Sequence, residues 1–385
     1  MRIAYVTGYD PRDNNNWSGL GYFIWKCLAA RGIEVELIGP LPLPAVYRKW
    51  SMCKWRFYHH LQGRYYYSDA DLTNVCLRSL AAGRKLESLP PVDAIVSATI
   101  LPAAFLPGKV PLVIYSDATL RSLYRTYEVY SNLSPLNLRH ADRIERAAQS
   151  RAAALVYASE WAANSVRTEY GVDPAKVHVV PFGANLESFP TRLAVEQAID
   201  ARDRQKIRLL FIGMDWDRKG GPAALAVVRE LNRTGFQATL TLIGCGPRLE
   251  EADRKFVEPL GFIEKNEAGL VKIQAELLRS HFLIVPSLAE CFGIVYCEAS
   301  AFGVPSIARK VGGVASAVSD GRNGKLFEPG DSPAQIATWI AGIFGDMEAY
   351  RRLARSSRTE FEERLNWNTS GEKLERILRE VIAKK

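Results

Sequence analysis

The sequence lacks the features that would mark a membrane-spanning or metal-binding protein. Its most apolar region, residues 92–115, contains three prolines and a lysine and divides into two strand-like runs, so it is not predicted to cross a membrane. The six cysteines form no CxxC pair, which leaves zinc and thiol-redox motifs without support. Thinly spread cysteines of this kind are typical of reduced core residues in a cytoplasmic protein.

Low-complexity tracts and short repeats are also missing, which argues against disorder and against a solenoid. The first residues, "MRIAYVTGYD", are predicted to form a strand and lack the basic-then-apolar layout of a signal peptide. The net charge of +8 suits an anionic ligand or a membrane surface better than sequence-specific nucleic-acid binding. A length of 385 residues favours two domains.

Short apolar runs alternate with helical patterns along both halves of the chain. A polar stretch at 184–206 separates the two series, so the sequence predicts two α/β domains, 1–185 and 186–366. Each is expected to hold a doubly wound parallel sheet, with ligands at the carboxyl ends of the strands. A helical tail is expected from about residue 332. The predicted strands are 2–7, 35–39, 94–98, 111–115, 153–159, 177–183, 207–213, 238–244, 260–263, 281–287 and 304–309.

Two glutamates, Glu290 and Glu298, stand in the otherwise small and apolar stretch 289–305. A predicted strand ends just before them, and Gly293 opens a helix of small residues. Helix N-termini bind phosphate, and carboxylates bind neighbouring sugar hydroxyls, so the pattern indicates a nucleotide-sugar site. The alternative is that both glutamates are solvated, which is the usual environment of glutamate.

A second predicted helix start carries the cations Arg218 and Lys219. Two cations there can neutralise a diphosphate as its negative charge develops. The same loop contains Asp215 and Asp217, a DxD pair that could coordinate a bridging metal ion. Because such short motifs are common by chance, the sequence is interpreted without a metal site.

Three segments of the first half are weaker candidates. A glycine-rich loop at 14–28 follows the first strand. Asp117, in the segment 111–124, is expected either to orient a sugar or acceptor or to act as a turn or helix-cap residue. The stretch 46–67 interleaves basic residues with aromatic ones, which suits sugar stacking, an anionic acceptor or a membrane interface, but also an ordinary packed hairpin.

The spacing of Glu290 and Glu298, with the following segments 301–313 and 318–331, resembles the EX7E motif of retaining glycosyltransferases with the GT-B fold, family four. The resemblance implies two facing Rossmann-like domains and a C-terminal helix, 367–385, that crosses back to the first. It implies that Glu298 binds ribose and that Glu290 binds hydroxyls of the donor sugar. The backbone N–H groups that would contact sugar and phosphate are those of Phe292, Gly293 and Ile294.

The same resemblance assigns further roles. Arg218 and Lys219 would bind the diphosphate, the backbone near Phe262 and Ile263 would contact the base, and Gly19 would meet the donor from the first domain. The chain departs from the family pattern at Met214, where an arginine is common, and at Ser116, where a histidine is common. Asp117 then becomes a candidate for orienting the sugar.

The resulting hypothesis is a retaining, metal-independent hexosyltransferase that needs no cofactor, since the nucleotide-sugar is its substrate. The donor is expected to be UDP-glucose and the acceptor a glycan or lipid-linked molecule of cell-surface polysaccharide or glycolipid synthesis. A cytoplasmic location is expected, with peripheral contact at the inner membrane face through 46–67, and no nucleic-acid partner. The alternatives are a nucleotide-sugar epimerase of the same fold and a non-catalytic nucleotide-sugar-binding subunit.

Overall fold

The computed structural model describes residues 1–384. The chain divides into two compact units, and the first is discontinuous in sequence. Unit 1 comprises Met1–Phe182 and the chain from Trp367 onward, and unit 2 comprises Gly183–Asn366. The sequence placed the first boundary three residues later, after residue 185.

Unit 1 is built around a parallel sheet of six strands with the order β2-β1-β3-β4-β5-β6. Every residue of β3, β4 and β5 is buried, as expected for strands covered by helices on both faces. The elements in chain order are β1 Arg2–Val6, α1 Leu20–Ala29, β2 Glu34–Ile38, α2 Ala45–Arg56, α3 Leu72–Glu87, β3 Ala94–Ser97, β4 Leu112–Ser116, α4 Leu120–Thr126, α5 Pro135–Arg151, β5 Ala154–Tyr157, α6 Glu160–Glu169 and β6 Val177–Val179.

Unit 2 repeats this architecture with the strand order β12-β11-β10-β7-β8-β9, again all parallel. The predicted fold class is therefore confirmed. The elements are α7 Arg192–Ala201, β7 Lys206–Ile212, α8 Gly221–Arg233, β8 Gln237–Ile243, β9 Val257–Pro259, α9 Glu267–Arg279, β10 Phe282–Val285, α10 Ile294–Ala301, β11 Ser306–Arg309, α11 Val314–Ala317, β12 Gly324–Phe327, α12 Pro333–Gly345 and α13 Met347–Glu363.

The last helix, α14, spans Trp367–Ala383 and belongs to unit 1. It packs on α1, where the ring of Trp367 stacks on Phe23 at a centroid distance of 6.2 Å. Gly371 brings the two helices close together, since a Cβ there would lie 3.2 Å from the carbonyl oxygen of Cys27. An ion pair between Arg31 and Glu375 reinforces this contact.

Three details of the sequence-based prediction were wrong. The strand predicted at 260–263 is a loop, because β9 ends at Pro259 and Gly261 takes a left-handed φ of +68° that interrupts extended backbone. The short strand β12 was missed. The polar stretch 184–206 contains helix α7, whose buried Val195 and Ile199 give it a packing face.

The order of the strands determines where a ligand can bind in each unit. In unit 2, β8 pairs with one edge of β7 and β10 pairs with its other edge. The connections that follow β7 and β10 therefore run in opposite directions and separate between these two strands. Loops at the carboxyl ends of such neighbouring strands leave a crevice for a ligand. In unit 1 the same situation occurs between β1 and β3. Among residues 1–384, no helix is both long and apolar enough to cross a membrane.

Candidate active site

The loops that follow β7 and β10 pack directly against each other at this crevice. The N–H of Leu288 donates to the carbonyl oxygen of Arg218 at 2.8 Å. Gly220 has a φ of +77°, and a Cβ at this position would lie 2.1 Å from the carbonyl oxygen of Pro286. Only glycine fits at this position. The close contact fixes the position of the two loops, and of the side chains that they carry, relative to each other.

Glu290 lies in the second of these loops and is buried. Lys219 forms an ion pair with its carboxylate, and the Arg218 guanidinium lies 4.0 Å from the same oxygen. Gly312, with a φ of +50°, lies so close to the Glu290 carbonyl that a Cβ would come within 2.0 Å of it. The structure thus brings the predicted residues Glu290, Arg218 and Lys219 into one cluster.

Arg218 is fixed by several further contacts. Its Nε and its backbone N–H donate to the Asp215 carboxylate at 3.0 and 3.1 Å, and its Nη1 donates to the Ala289 carbonyl at 3.0 Å. The first aspartate of the DxD motif therefore holds this arginine in place. Within residues 1–384, no group of three or more His, Cys, Asp or Glu side chains is placed to hold a metal ion.

Glu298 lies in the second turn of α10 and is also buried. Lys265 Nζ donates to its Oε1 at 2.9 Å. Gly293, the N-cap, has a φ of +91°, and the first N–H groups of a helix have no partner within the helix. The hydroxyl of Tyr296 donates to the Val285 carbonyl at 2.7 Å, which ties the first turn of α10 to the end of β10.

Two arginines that the sequence analysis did not identify hold the other end of α10. Buried Arg202 donates to the carbonyls of Phe302 and Gly303 at 2.9 and 2.7 Å, and Arg358 donates to that of Ala301. Cations at a helix C-terminus are favourable for the helix dipole. These contacts fix the position of α10 and hence of its N-terminus.

The loop 260–266 follows β9, which pairs with β8 and lies two strands further from the crevice than β7. The Gly244 N–H donates to the Gly261 carbonyl at 2.8 Å, which ties the start of the loop to the end of β8. Phe262 is 66% exposed, and Met214 in the β7–α8 loop is 75% exposed. Exposed apolar side chains at the ligand-binding edge of a sheet are available for stacking on a flat ligand.

Comparison with known protein families is consistent with this arrangement. The family model "Glycosyltransferase Family 4" matches residues 24–188, and the model "Glycosyl transferases group 1" matches residues 206–346. The chain belongs to glycosyltransferase family four. The family assignment implied by the EX7E resemblance is thus confirmed.

Individual relatives agree with the family assignment over part of the chain. A D-inositol 3-phosphate glycosyltransferase of Frankia alni is 34% identical over 198 residues, which cover 48% of each chain. The chain spans about half the length of the curated relatives it matches.

Two solved structures share the fold. Sucrose-phosphate synthase from Thermosynechococcus elongatus has a TM-score of 0.68 at 19% identity over 100% of both chains. The HepE protein of Anabaena in complex with UDP has a TM-score of 0.64 at 18% identity over 98% of this chain and 99% of that one.

Unit 1 of this family-four chain presents its own candidate residues at the ends of β1 and β4. Trp17, Ser18 and Gly19 have φ values of 48°, 54° and 84°, so three consecutive residues adopt the left-handed region directly before α1. Such strain is found at functional sites, which makes the loop a candidate, although Gly19 as a donor contact stays a prediction. The Trp17 indole N–H donates to Asp117 Oδ2 at 3.3 Å. The helix-cap alternative for Asp117 is wrong, because Thr119 is the N-cap of α4.

The basic aromatic stretch 46–67 of the family-four chain is not an ordinary packed hairpin. Helix α2 continues into a π-helical turn at Phe57–Leu61, and only a few of its side chains face inward. Asp71, the N-cap of α3, accepts hydrogen bonds from Lys54 at 2.9 Å and Tyr66 at 2.8 Å, and these anchor the inner side. The large apolar side chains left exposed are those of Val46, Trp50, Met52, Trp55, Phe57 and Leu61.

Burial by itself would raise the pKa of Asp71. The nearby His140 ring and the hydrogen bonds from Lys54 and Tyr66 to the carboxylate outweigh that effect, so the pKa lies well below its usual range. Asp71 is therefore ionised at all ordinary pH values, and its contact with Lys54 fixes the inner side of α2 to the rest of unit 1.

Proposed function

We propose that this chain is a retaining glycosyltransferase that moves a hexose from a nucleotide-diphosphate sugar to an acceptor hydroxyl. One observation carries the proposal. Two buried carboxylates, Glu290 and Glu298, flank the N-terminus of α10 at the crevice of unit 2, beside Arg218 and Lys219. A diphosphate between two sugars has the charge and hydroxyl pattern that this group complements.

In this proposal the diphosphate binds at the N-terminus of α10. The N–H groups of Phe292, Gly293 and Ile294 would bind its oxygens, and Lys219 and Arg218 would balance the charge that develops as it leaves. Positively charged side chains then do what a divalent cation does elsewhere. We therefore propose that the transfer is metal-independent, with Asp215 serving to orient Arg218.

The chemistry needs no enzymatic nucleophile. The acceptor oxygen attacks the anomeric carbon on the face from which the diphosphate departs, and the bond from that carbon to the phosphate oxygen breaks. The bonding electron pair and the acceptor proton both pass to the departing phosphate. Glu290 holds the sugar hydroxyls and the cations stabilise the leaving group, so the protein contributes positioning and electrostatics.

UDP-glucose is the proposed donor. The support is the fold shared with the Anabaena protein, whose structure was solved with UDP. The exposed ring of Phe262 offers a stacking surface for the base, with the backbone of Ile263 beside it. Glu298 would accept hydrogen bonds from the ribose hydroxyls.

The proposed acceptor is a glycan or a lipid-linked molecule at an anionic membrane. The segment 46–67 contains no acidic residue, and its basic residues are interspersed with the exposed side chains of Trp50 and Trp55. An amphipathic, basic and aromatic surface suits the interface of an anionic bilayer. Asp117 in unit 1 is the proposed residue for orienting the sugar or acceptor.

Product analysis with UDP-glucose tests the activity directly. The protein is incubated with the donor and with lipid-linked and free glycan acceptors, and the products are separated into transferred sugar, free sugar and epimerised donor. Transferred sugar with retained anomeric configuration, lost in Glu290→Gln and kept in Lys325→Met, is the expected result. Epimerised donor or an unchanged donor would instead identify one of the alternatives from the sequence, the epimerase or the non-catalytic subunit.

The membrane surface is tested by sedimentation with vesicles. Wild-type protein is expected to bind vesicles that contain anionic lipid and to dissociate from them at high salt. Trp50→Ser combined with Trp55→Ser should weaken binding by about tenfold, whereas Leu193→Ser, an exposed leucine of unit 2, should not. Equal binding of all variants would contradict the assignment of this surface.

A further inference from the structure

The ion pair between Lys265 and Glu298 connects two parts of the proposed donor site that are far apart in sequence. Lys265 lies near the end of the loop 260–266, and Glu298 lies in α10. The pair is asymmetric, because the Glu298 side chain is 7% exposed and the Lys265 side chain is 43% exposed. The inference below rests on the proposed function of this site.

A carboxylate as buried as that of Glu298 needs a partner that compensates for its lost solvation and holds it in place. Lys265 Nζ is the cation that the structure gives it, at 2.9 Å from Oε1. The lysine occupies one carboxylate oxygen, and the other oxygen can accept from a ligand hydroxyl. Lys265 therefore sets which way Glu298 presents its free oxygen.

The same contact restrains the loop that carries Phe262. The start of the loop is tied by the hydrogen bond to the Gly261 carbonyl, and its end by Asn266, which caps α9 by accepting from the Gly269 N–H at 3.0 Å. Between these points, Lys265 is the side chain that joins the loop to α10. Removing this contact would leave the exposed Phe262 ring attached only through its backbone.

We infer that Lys265 is a positioning residue that couples recognition of the ribose to recognition of the base. Through Glu298 it orients the acceptor for the ribose hydroxyl, and through the loop it fixes the stacking surface at Phe262. Without Lys265 the site loses its preference for a ribonucleotide. Its affinity for the diphosphate is unchanged, because Lys219 and Arg218 do not contact Lys265.

The test uses the full chain and calorimetric titration with UDP, 2′-deoxy-UDP and inorganic pyrophosphate, with GDP and ADP as further arms. Lys265→Met keeps the length of the side chain and removes its charge, and Lys265→Arg restores the charge. Lys325→Met is the matched control, because Lys325 of β12 forms an ion pair of similar length, 2.8 Å, with Asp320.

We expect Lys265→Met to bind UDP about tenfold more weakly than wild type, as the loss of one charged hydrogen bond implies. The preference for UDP over 2′-deoxy-UDP should shrink by about fivefold, and the affinity for pyrophosphate should stay within about twofold. Lys265→Arg should recover most of the preference. Adding Phe262→Ala to Lys265→Met should cost less than it does in wild type, because the ring has already lost its support.

Each outcome supports or overturns the inference. Equal losses for UDP, 2′-deoxy-UDP and pyrophosphate, or additive effects at positions 262 and 265, would show a general structural role and overturn it. Unchanged UDP binding in Lys265→Met, with binding weakened by Glu298→Gln, would overturn it and leave the proposed donor site intact. If wild-type protein binds none of the nucleotides, both the proposed function and the inference fall.

Discussion

The largely buried pair of Lys219 and Glu290 allows stability and catalysis to be separated in one experiment. Three variants are compared with wild type: Lys219→Met, Glu290→Gln and the double substitution. Each single change removes one charge and leaves the other in a poorly solvated position, whereas the double change removes both. The stability of unit 2 should therefore be recovered in the double variant, and the activity should not.

The magnitude follows from the burial of the pair. The Lys219 and Glu290 side chains are 16% and 11% exposed, so breaking the pair should cost close to the lower end of the range for buried pairs, about 3 kcal/mol. Lys219→Met should be the milder single change, because Arg218 still lies 4.0 Å from the glutamate. The double variant should lose only about 1 kcal/mol, since paired neutral groups replace paired charges.

Amide hydrogen exchange measures these differences where they arise. A protein of two units does not unfold in one step, so exchange protection of peptides from β7 and β10 reports on unit 2 specifically. Activity is measured as transfer from UDP-glucose. All three variants should lose about 10²- to 10³-fold in kcat, because each lacks a group that we propose to contact the sugar or the leaving diphosphate. A double variant as unstable as the sum of the singles, or any single variant with wild-type activity, would refute the reasoning.

Three further substitutions test other contacts. Burial raises the pKa of Glu145 from 4.5 to about 7, so its ionisation opposes folding and the stability of unit 1 should fall as pH rises from about 4.5 to about 7. Glu145→Gln should remove this loss of about 3 kcal/mol, seen as a flatter pH dependence of exchange protection in peptides from β4 and α5, corrected for intrinsic exchange rates. Gly220→Ala should lower the melting temperature and weaken UDP binding, because its Cβ would clash with the Pro286 carbonyl. Gly235→Ala, with a similar φ but open space around the Cβ, should affect UDP binding little. Equal losses of UDP affinity in the two variants would contradict this expectation. Arg202→Met leaves carbonyls at the end of α10 without their donor and should cost about 3 kcal/mol in unfolding; a cost below about 1 kcal/mol in the same exchange assay would contradict its role.

The alternation of strands and helices could be predicted because it depends on local patterns. Fully buried strands such as β4 and β10 are continuous apolar runs, and their boundaries were predicted to within a few residues. The loop 260–263 was mistaken for a strand because its composition is equally apolar. What distinguishes it is tertiary structure: the side chain of Phe262 is exposed to solvent, and Gly261 adopts a backbone angle that a sequence pattern does not reveal.

The candidate site was predictable only in part for a related reason. Glu290, Arg218 and Lys219 come from loops that follow strands, so parallel topology brings them together. Lys265 and Arg202 support the same site from segments whose proximity depends on packing. A buried Glu298 implies that some cation is nearby, but Lys265 lies 33 positions earlier in the sequence, and no local pattern identifies it as that cation.

The discontinuity of unit 1 has a consequence for the order in which the protein is made. Unit 2 is encoded in one uninterrupted stretch, whereas the surface of α1 that receives α14 is synthesised more than 300 residues before its partner. During translation, unit 2 can therefore fold before unit 1 is complete. Until α14 is synthesised, the α1 surface around Phe23 and Cys27 remains exposed. Closing so long a loop slows the last step of assembly. A nascent chain stalled before residue 367 should expose this surface to chaperones, and one stalled well beyond it should not.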